Sequence, residues 1–255
     1  MKRLEFYGAM TLRHLVHAVV ETLRICTPTV IESVLGRLSP HDVDRRLDRW
    51  SRSIVERARI ELSTSGLEHV ASGESLVVMS NHQSLYDIPV IYRAFQRPLR
   101  MVAKDDLFRV PLWGTAMRRA GFVELDRGDR TRAIESLTRA ADVLSRGLSL
   151  WIAPEGTRSA DGQLGPFKRG GFHLAEDAGA RILPVTIVGT DRVLPARGRR
   201  VQDGVLVSVV LHPTVDPRDY GSERRDELMA EVRNRIGSAL PEGGRSPEPP
   251  QLEPS

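Results

Sequence analysis

The chain has 255 residues, 37 basic against 33 acidic side chains, a net charge of +4 and 40% hydrophobic residues. That balance suits a folded domain of medium size with a substantial core and excludes wholesale disorder. The single cysteine, Cys26, excludes a disulfide framework and a thiolate metal cluster, and no run of about 18 apolar residues offers a conventional spanning helix.

In chain order, Arg13, His14, His17 and Glu21 interrupt each N-terminal apolar run, so no signal-peptide pattern is expected. Leu12, Leu15, Val16, Val19 and Leu23 recur at steps of three and four, which predicts an amphipathic helix with Arg13, His17, Glu21 and Arg24 on its other face. A second helix is predicted from Pro40, with Ser39 as cap and Asp42 in the first turn. Its apolar stripe is Val43, Leu47, Trp50, Ile54 and Ala58, set among Arg45, Arg46, Arg49, Arg52 and Arg59. Such a hairpin can pack on its own domain. It can also lie in a bilayer interface, with arginines on lipid phosphates and Trp50 at headgroup level.

From Gly66 onward, short β-branched runs alternate with helical patterns. Strands are predicted at 75–80, 99–103, 122–125, 148–153, 182–188 and 205–211, and helices at 87–95, 111–119, 131–144, 171–178 and 223–240. The expected architecture is an α/β domain over residues 66–240, a largely parallel sheet covered by helices, preceded by the hairpin over residues 1–65. Residues 241–255 are rich in Pro, Gly and Glu and predict a disordered tail.

Of the 37 basic residues only Lys2, Lys104 and Lys168 are lysines; the other 34 are arginines. With an isoelectric point near 9.6, the chain suits an anionic partner: nucleic acid, a phosphorylated small molecule or an anionic bilayer. No nucleic-acid motif accompanies the charge, and aromatics are few at 5%.

The most informative segment is Asn81-His82-Gln83-Ser84-Leu85-Tyr86-Asp87, directly after a buried strand, where open α/β sheets bind ligands. On one continuous helix, residues five apart point about 140° apart, so His82 and Asp87 would not meet. With a helix starting at Ser84, His82 lies in the preceding turn and Asp87 can reach back to one ring nitrogen, leaving the other as a general base. The competing role for Asp87 is the acid of a capping box with Ser84. A second segment, Pro154-Glu155-Gly156-Thr157-Arg158-Ser159, also follows a buried strand and offers a tight turn with donors suited to phosphate. An ordinary polar turn with a Glu155–Arg158 ion pair is the alternative. Gly121 to Arg127 reads as a strand leading into Asp126-Arg127. For metals, His173-x-x-Glu176 is too common a spacing to count, and no ligand cluster is expected.

Together these segments, with Ala103-Lys104-Asp105, Pro111 and Gly114, resemble the lysophosphatidic acid acyltransferase family over residues 66–189. One departure is Ala153, where that family usually has phenylalanine. The resemblance implies transfer of a fatty acyl group from an acyl thioester to the sn-2 hydroxyl of 1-acyl-glycerol-3-phosphate. It implies His82 as general base and Asp87 as its orienting acid. Lys104, Arg127 and Arg158 are then the phosphate-binding cations, while Glu155, Gly156 and Thr157 shape the acceptor site. It also implies that the hairpin docks on an anionic membrane, peripherally or monotopically on the cytoplasmic face of the cell membrane. No cofactor is expected. The thioester, acyl-CoA or acyl-acyl carrier protein, is a co-substrate, and no nucleic-acid partner is expected. Another lysolipid acceptor, or a non-catalytic membrane-bound scaffold, remains open at this point. The chain has no G-x-S-x-G elbow, so Ser84 reads as a cap and direct attack without a covalent intermediate is expected.

Overall fold

The computed structural model describes residues 2–125 and 130–243, with side chains from 11 to 124 and from 136 to 243. In chain order the elements are α1 (Lys2–Val34), α2 (Pro40–Arg57), β1 (Glu61–Ser65), β2 (Val77–Ser80), α3 (Asp87–Phe95), β3 (Leu99–Lys104), α4 (Asp105–Phe108) and α5 (Trp113–Arg119). They continue with β4 (Val123–Leu125), α6 (Arg130–Ser145), β5 (Ser149–Ile152), α7 (Gly170–Asp177), β6 (Ile182–Val188), α8 (Thr190–Val193), β7 (Leu206–Leu211) and α9 (Arg225–Ser238).

The seven strands form one sheet in the order β1-β7-β6-β2-β5-β3-β4, parallel except for the β6–β7 pair. The expected helix-covered, largely parallel sheet is what the chain forms. β2 is the middle strand, flanked by β5 (Val78 opposite Trp151) and β6 (Val78 opposite Leu183). Because β2 to β6 all run the same way, their carboxyl ends share one edge. The segments after Ser80, Lys104 and Ile152 therefore converge there.

Alternation along β2 divides the core. Leu76 and Val78 face α2 and α3 with Val43, Leu47, Val90, Ile91 and Phe95. Val77 and Met79 face α6, α7 and α9 with Val143, Phe172, Leu228 and Val232. A buried Arg100 ties the first face together, donating to Asp44 on α2 and to the Ala120 carbonyl, each at 2.6 Å. Near the α4–α5 turn, Gly114 packs so closely on Phe108 that a Cβ would lie 2.0 Å from its carbonyl oxygen.

Several expectations need correction. Glu61–Ser65, assigned above to the hairpin segment, is an edge strand of the sheet, pairing with Leu206–Val210. Its short, mostly polar run lacks the apolar signal of the inner strands. The helix expected from Pro111 begins at Trp113, and α4 precedes it. The expected tail falls mostly on residues 244–255, outside the described residues.

The hairpin is the larger surprise. In α2 the apolar stripe is buried as part of the core. Trp50 is half-buried and donates to Thr22 Oγ1 of α1 at 3.3 Å, so it is not displayed at the surface. In α1 part of the polar side turns inward and the apolar row outward. His14 and Glu21 are buried, and His17 bonds Ser53 Oγ of α2 at 3.0 Å. Meanwhile Leu12, Leu15, Val16, Val19 and Leu23 are all exposed, Leu12 and Leu15 at 60%. Polar partners on α2, such as Arg46 donating to Thr29 at 3.1 Å and to Glu32 at 2.5 Å, make a polar inward face possible. Among the described residues, no helix is long and apolar enough to cross a membrane.

Candidate active site

At the end of β2, Asn81 turns its carboxamide inward. Its Nδ2 donates to the Ile187 carbonyl at 2.7 Å, and its Oδ1 accepts the Ile187 N–H at 2.8 Å. That double bond pins the strand end to β6 and hands the next residue to the turn. The Nδ1–H of His82 there donates to Oδ2 of Asp87 at 2.7 Å, so the expected reach back across the turn is what the chain makes. The same oxygen accepts the backbone N–H groups of Gln83 (2.8 Å) and Ser84 (2.9 Å). Asp87 is fully buried, and these donors replace the water that an isolated buried carboxylate would lack.

The helix itself begins at Asp87, after a turn through Ser84 to Tyr86, and not at Ser84. Ser84 still acts locally: its hydroxyl accepts the Tyr86 N–H and donates to the Leu194 carbonyl at 2.7 Å. Committed to that carbonyl, it is poorly placed as a nucleophile. The His82 side chain is 17% exposed, and its Nε2 has no protein partner among the described residues. Trp151 meets the imidazole edge-on, with ring centroids 5.9 Å apart.

The second expected segment closes on the first. Oε1 of Glu155 accepts the backbone N–H of His82 at 3.0 Å, and the His82 carbonyl accepts the Ser159 N–H at 2.7 Å. Oε2 of Glu155 accepts the Gly165 N–H at 2.8 Å. Burial pushes the Glu155 carboxyl above the ordinary carboxylate value, and the N–H groups of Gly165 and His82 pull it back. Glu155 is therefore buried in backbone contacts, one at each oxygen, and no ion pair with Arg158 is seen among the described residues. Gly156 takes φ +72°, a left-handed turn that glycine adopts without strain. This turn presents Thr157 exposed and Arg158 partly exposed.

Lys104 ends β3 on the same sheet edge and is exposed. Neither Lys104 nor Arg158 has a carboxylate partner among the described residues. Arg127 lies outside the described residues. The Glu176 of the dismissed His173-x-x-Glu176 spacing is taken by Arg225 through paired bonds of 2.9 and 2.5 Å.

Thr190, at the start of α8, carried no expectation. It donates its hydroxyl to the second Asp87 oxygen, Oδ1. Its only signal in the sequence is position, two residues beyond the predicted strand 182–188 and so at the carboxyl edge. Beside the turn lies an apolar cavity of about 680 Å³, walled by Leu15, Ile25, Leu47 and Trp50 of the hairpin and by Leu85 and Tyr86 of the His82 turn.

A family model described as Acyltransferase matches residues 61–188, half the chain. A chloroplastic 1-acyl-sn-glycerol-3-phosphate acyltransferase of Brassica napus is 35% identical over 176 residues, 69% of this chain and 49% of that protein. The enzyme of that name from Escherichia coli is 33% identical over 167 residues, 65% of this chain and 67% of that protein. The chain thus spans about half the length of several curated relatives, the plant proteins among them. The crystal structure of the 1-acyl-sn-glycerophosphate acyltransferase PlsC from Thermotoga maritima superposes with a TM-score of 0.78 at 27% identity, covering 93% of this chain and 95% of that one. The His82–Asp87 turn and the Glu155–Ser159 loop both fall inside the matched segment, and by that match the chain belongs to the acyltransferase family.

Proposed function

We propose that the chain transfers a fatty acyl group from an acyl thioester to the sn-2 hydroxyl of 1-acyl-glycerol-3-phosphate, giving phosphatidic acid. The observation that carries this reading is the imidazole held at Nδ1 by a buried carboxylate, with Nε2 left open among the described residues, beside the loop that bears the Arg158 guanidinium. Nε2 accepts the proton of the acceptor hydroxyl as its oxygen attacks the thioester carbonyl carbon. The tetrahedral adduct then expels the thiolate, which takes the proton back from the imidazolium. No covalent enzyme intermediate forms, and every proton is accounted for. The Asp87 carboxylate stabilises the transient imidazolium and fixes the tautomer. Lys104 and Arg158, with Arg127 by resemblance, grip the acceptor phosphate. The apolar cavity beside Leu85 and Tyr86 is sized and lined for an acyl chain.

The exposed apolar row of α1 supports docking of the helical hairpin on an anionic bilayer, on the cytoplasmic face of the cell membrane. There the acceptor would be reached from the lipid phase. The donor is acyl-CoA or acyl-acyl carrier protein. The deciding experiment incubates the purified full chain with acyl-CoA or acyl-acyl carrier protein and a panel of lysolipids. Release of thiol and mass-spectrometric detection of phosphatidic acid from lysophosphatidate are expected. Product only from a different lysolipid, or none, overturns the reading.

A further inference from the structure

Outside the segment matched by the family model, α9 packs its buried Leu228, Val232 and Ile236 against the sheet, and the Ile236 carbonyl accepts the Thr186 hydroxyl of β6 at 2.6 Å. Its first turn is fixed by Arg225 on Glu176 of α7 and by Arg169 on Asp226. From this anchored helix, half-buried Arg233 reaches the loop after β5. One arm donates to the Leu164 carbonyl at 2.6 Å and the other to the Gly165 carbonyl, while the guanidinium lies 5.3 Å from the Phe167 ring centroid. The loop position so fixed is the one whose Gly165 N–H donates to Glu155 Oε2, and Glu155 Oε1 in turn holds the His82 N–H. There is little slack: a Cβ on Gly165 would lie 3.1 Å from Glu155 Oε2.

We infer that Arg233 is a positioning residue for the His82 base, acting through the Gly165 peptide and Glu155. The inference rests on the reading of His82 as the base. A guanidinium suits this role because its planar fork meets two adjacent carbonyls at once, which a lysine ammonium does less rigidly. Donation into the Leu164 carbonyl also polarises the Leu164–Gly165 peptide and strengthens the bond that its Gly165 N–H makes to Glu155. The family-matched core therefore borrows part of its alignment from a helix that the match does not cover.

The test is a double-mutant cycle on the full chain with acyl-CoA and lysophosphatidate. Arg233→Met is expected to lower kcat about 10- to 100-fold with little change in either KM. Arg233→Lys is expected to recover part of that loss. In a Glu155→Gln background, Arg233→Met should cost nothing further, because both changes break one chain of contacts. Independent, multiplicative losses would mean that Arg233 only stabilises the fold, and the inference falls. If Arg233→Met does not fold by circular dichroism, Arg233→Lys decides: lowered kcat at retained KM supports the role, and wild-type kcat overturns it. A His82→Ala variant run alongside separates the two readings, since retained activity there removes the base itself, whatever Arg233 does.

Discussion

Thr190 donates its hydroxyl to Asp87 Oδ1 at 2.5 Å, a bond made across 103 residues of chain. Asp87 is thereby saturated, with one oxygen on His82 and two backbone amides and the other on α8. Thr190→Val strips that partner from a fully buried carboxylate, where an unmet acceptor costs about 1–3 kcal/mol. Chemical denaturation should show a loss of that size together with a drop in kcat, and Thr190→Ser should restore most of both. A Thr190→Val protein with unchanged stability and turnover would show that the hydroxyl contributes nothing.

The histidine itself is separable from the fold. Its side chain makes one hydrogen bond among the described residues, and Asp87 keeps its amide donors without it. His82→Ala should therefore lower kcat by about 10²–10⁴ while leaving the unfolding midpoint in place. Asp87→Asn should lose activity and stability together, because an amide cannot accept as both carboxylate oxygens do. Thermal melts beside steady-state rates distinguish the two.

Lys104 and Arg158 are expected to act on the phosphate. A charge-assisted hydrogen bond is worth about 1.5–3 kcal/mol, so Lys104→Ala and Arg158→Ala should each raise the acceptor KM about 10- to 100-fold. Both should also narrow the preference for lysophosphatidate over an uncharged monoacylglycerol. An unaltered preference in either variant would remove that residue from the acceptor site.

Glu155 gives the pH profile a contribution of its own. Burial raises its folded pKa above the ordinary value, so its charged form destabilises the fold at pH above that folded pKa, and the penalty fades as pH falls through it. The window is the mildly acidic range above the unfolded value of about 4.3. Protonating Glu155 there weakens its hold on the N–H groups of His82 and Gly165. As pH falls through that range, kcat/KM should therefore fall more steeply in the wild type than in Glu155→Gln, which lacks the titrating group, while circular dichroism shows the wild-type fold persisting. Parallel profiles for the two proteins would rule this out.

Membrane docking predicts that the full chain co-sediments with anionic vesicles at low salt and is partly released as salt screens its arginines. Val16→Asp combined with Val19→Asp places charge on the exposed row of α1 without entering the core or the apolar cavity. That variant should lose most vesicle binding. Equal sedimentation of both proteins would place the contact elsewhere.

The sheet was legible in the sequence because its inner strands are buried on both faces and read as β-branched runs. β1 was not legible, since an edge strand of Glu-Leu-Ser-Thr-Ser carries no such run. The His82–Asp87 contact could be argued from spacing, because a strand-to-helix turn allows only a few geometries. For Glu155 the sequence placed a carboxylate in the right loop, but only folding shows that it meets the His82 and Gly165 amides and not Arg158. Thr190 and Arg233 were invisible for a related reason. Each acts through one hydrogen bond or a bonded pair with a residue distant in the chain, and neither lies in a patterned motif. In α1 periodicity located the apolar stripe but could not say whether protein or lipid covers it, and the stripe is exposed.

The residues that clamp the His82 peptide, Glu155 at its N–H and Ser159 at its carbonyl, bracket the turn that carries Arg158. A pull on that guanidinium would reach the His82 backbone through these two contacts. On the proposed reading acceptor arrival would then bear on base alignment, and Arg158 differs from Lys104, whose strand β3 lies two strands away from β2. Losing Arg158 should slow turnover at saturation as well as weaken capture, whereas losing Lys104 should weaken capture alone.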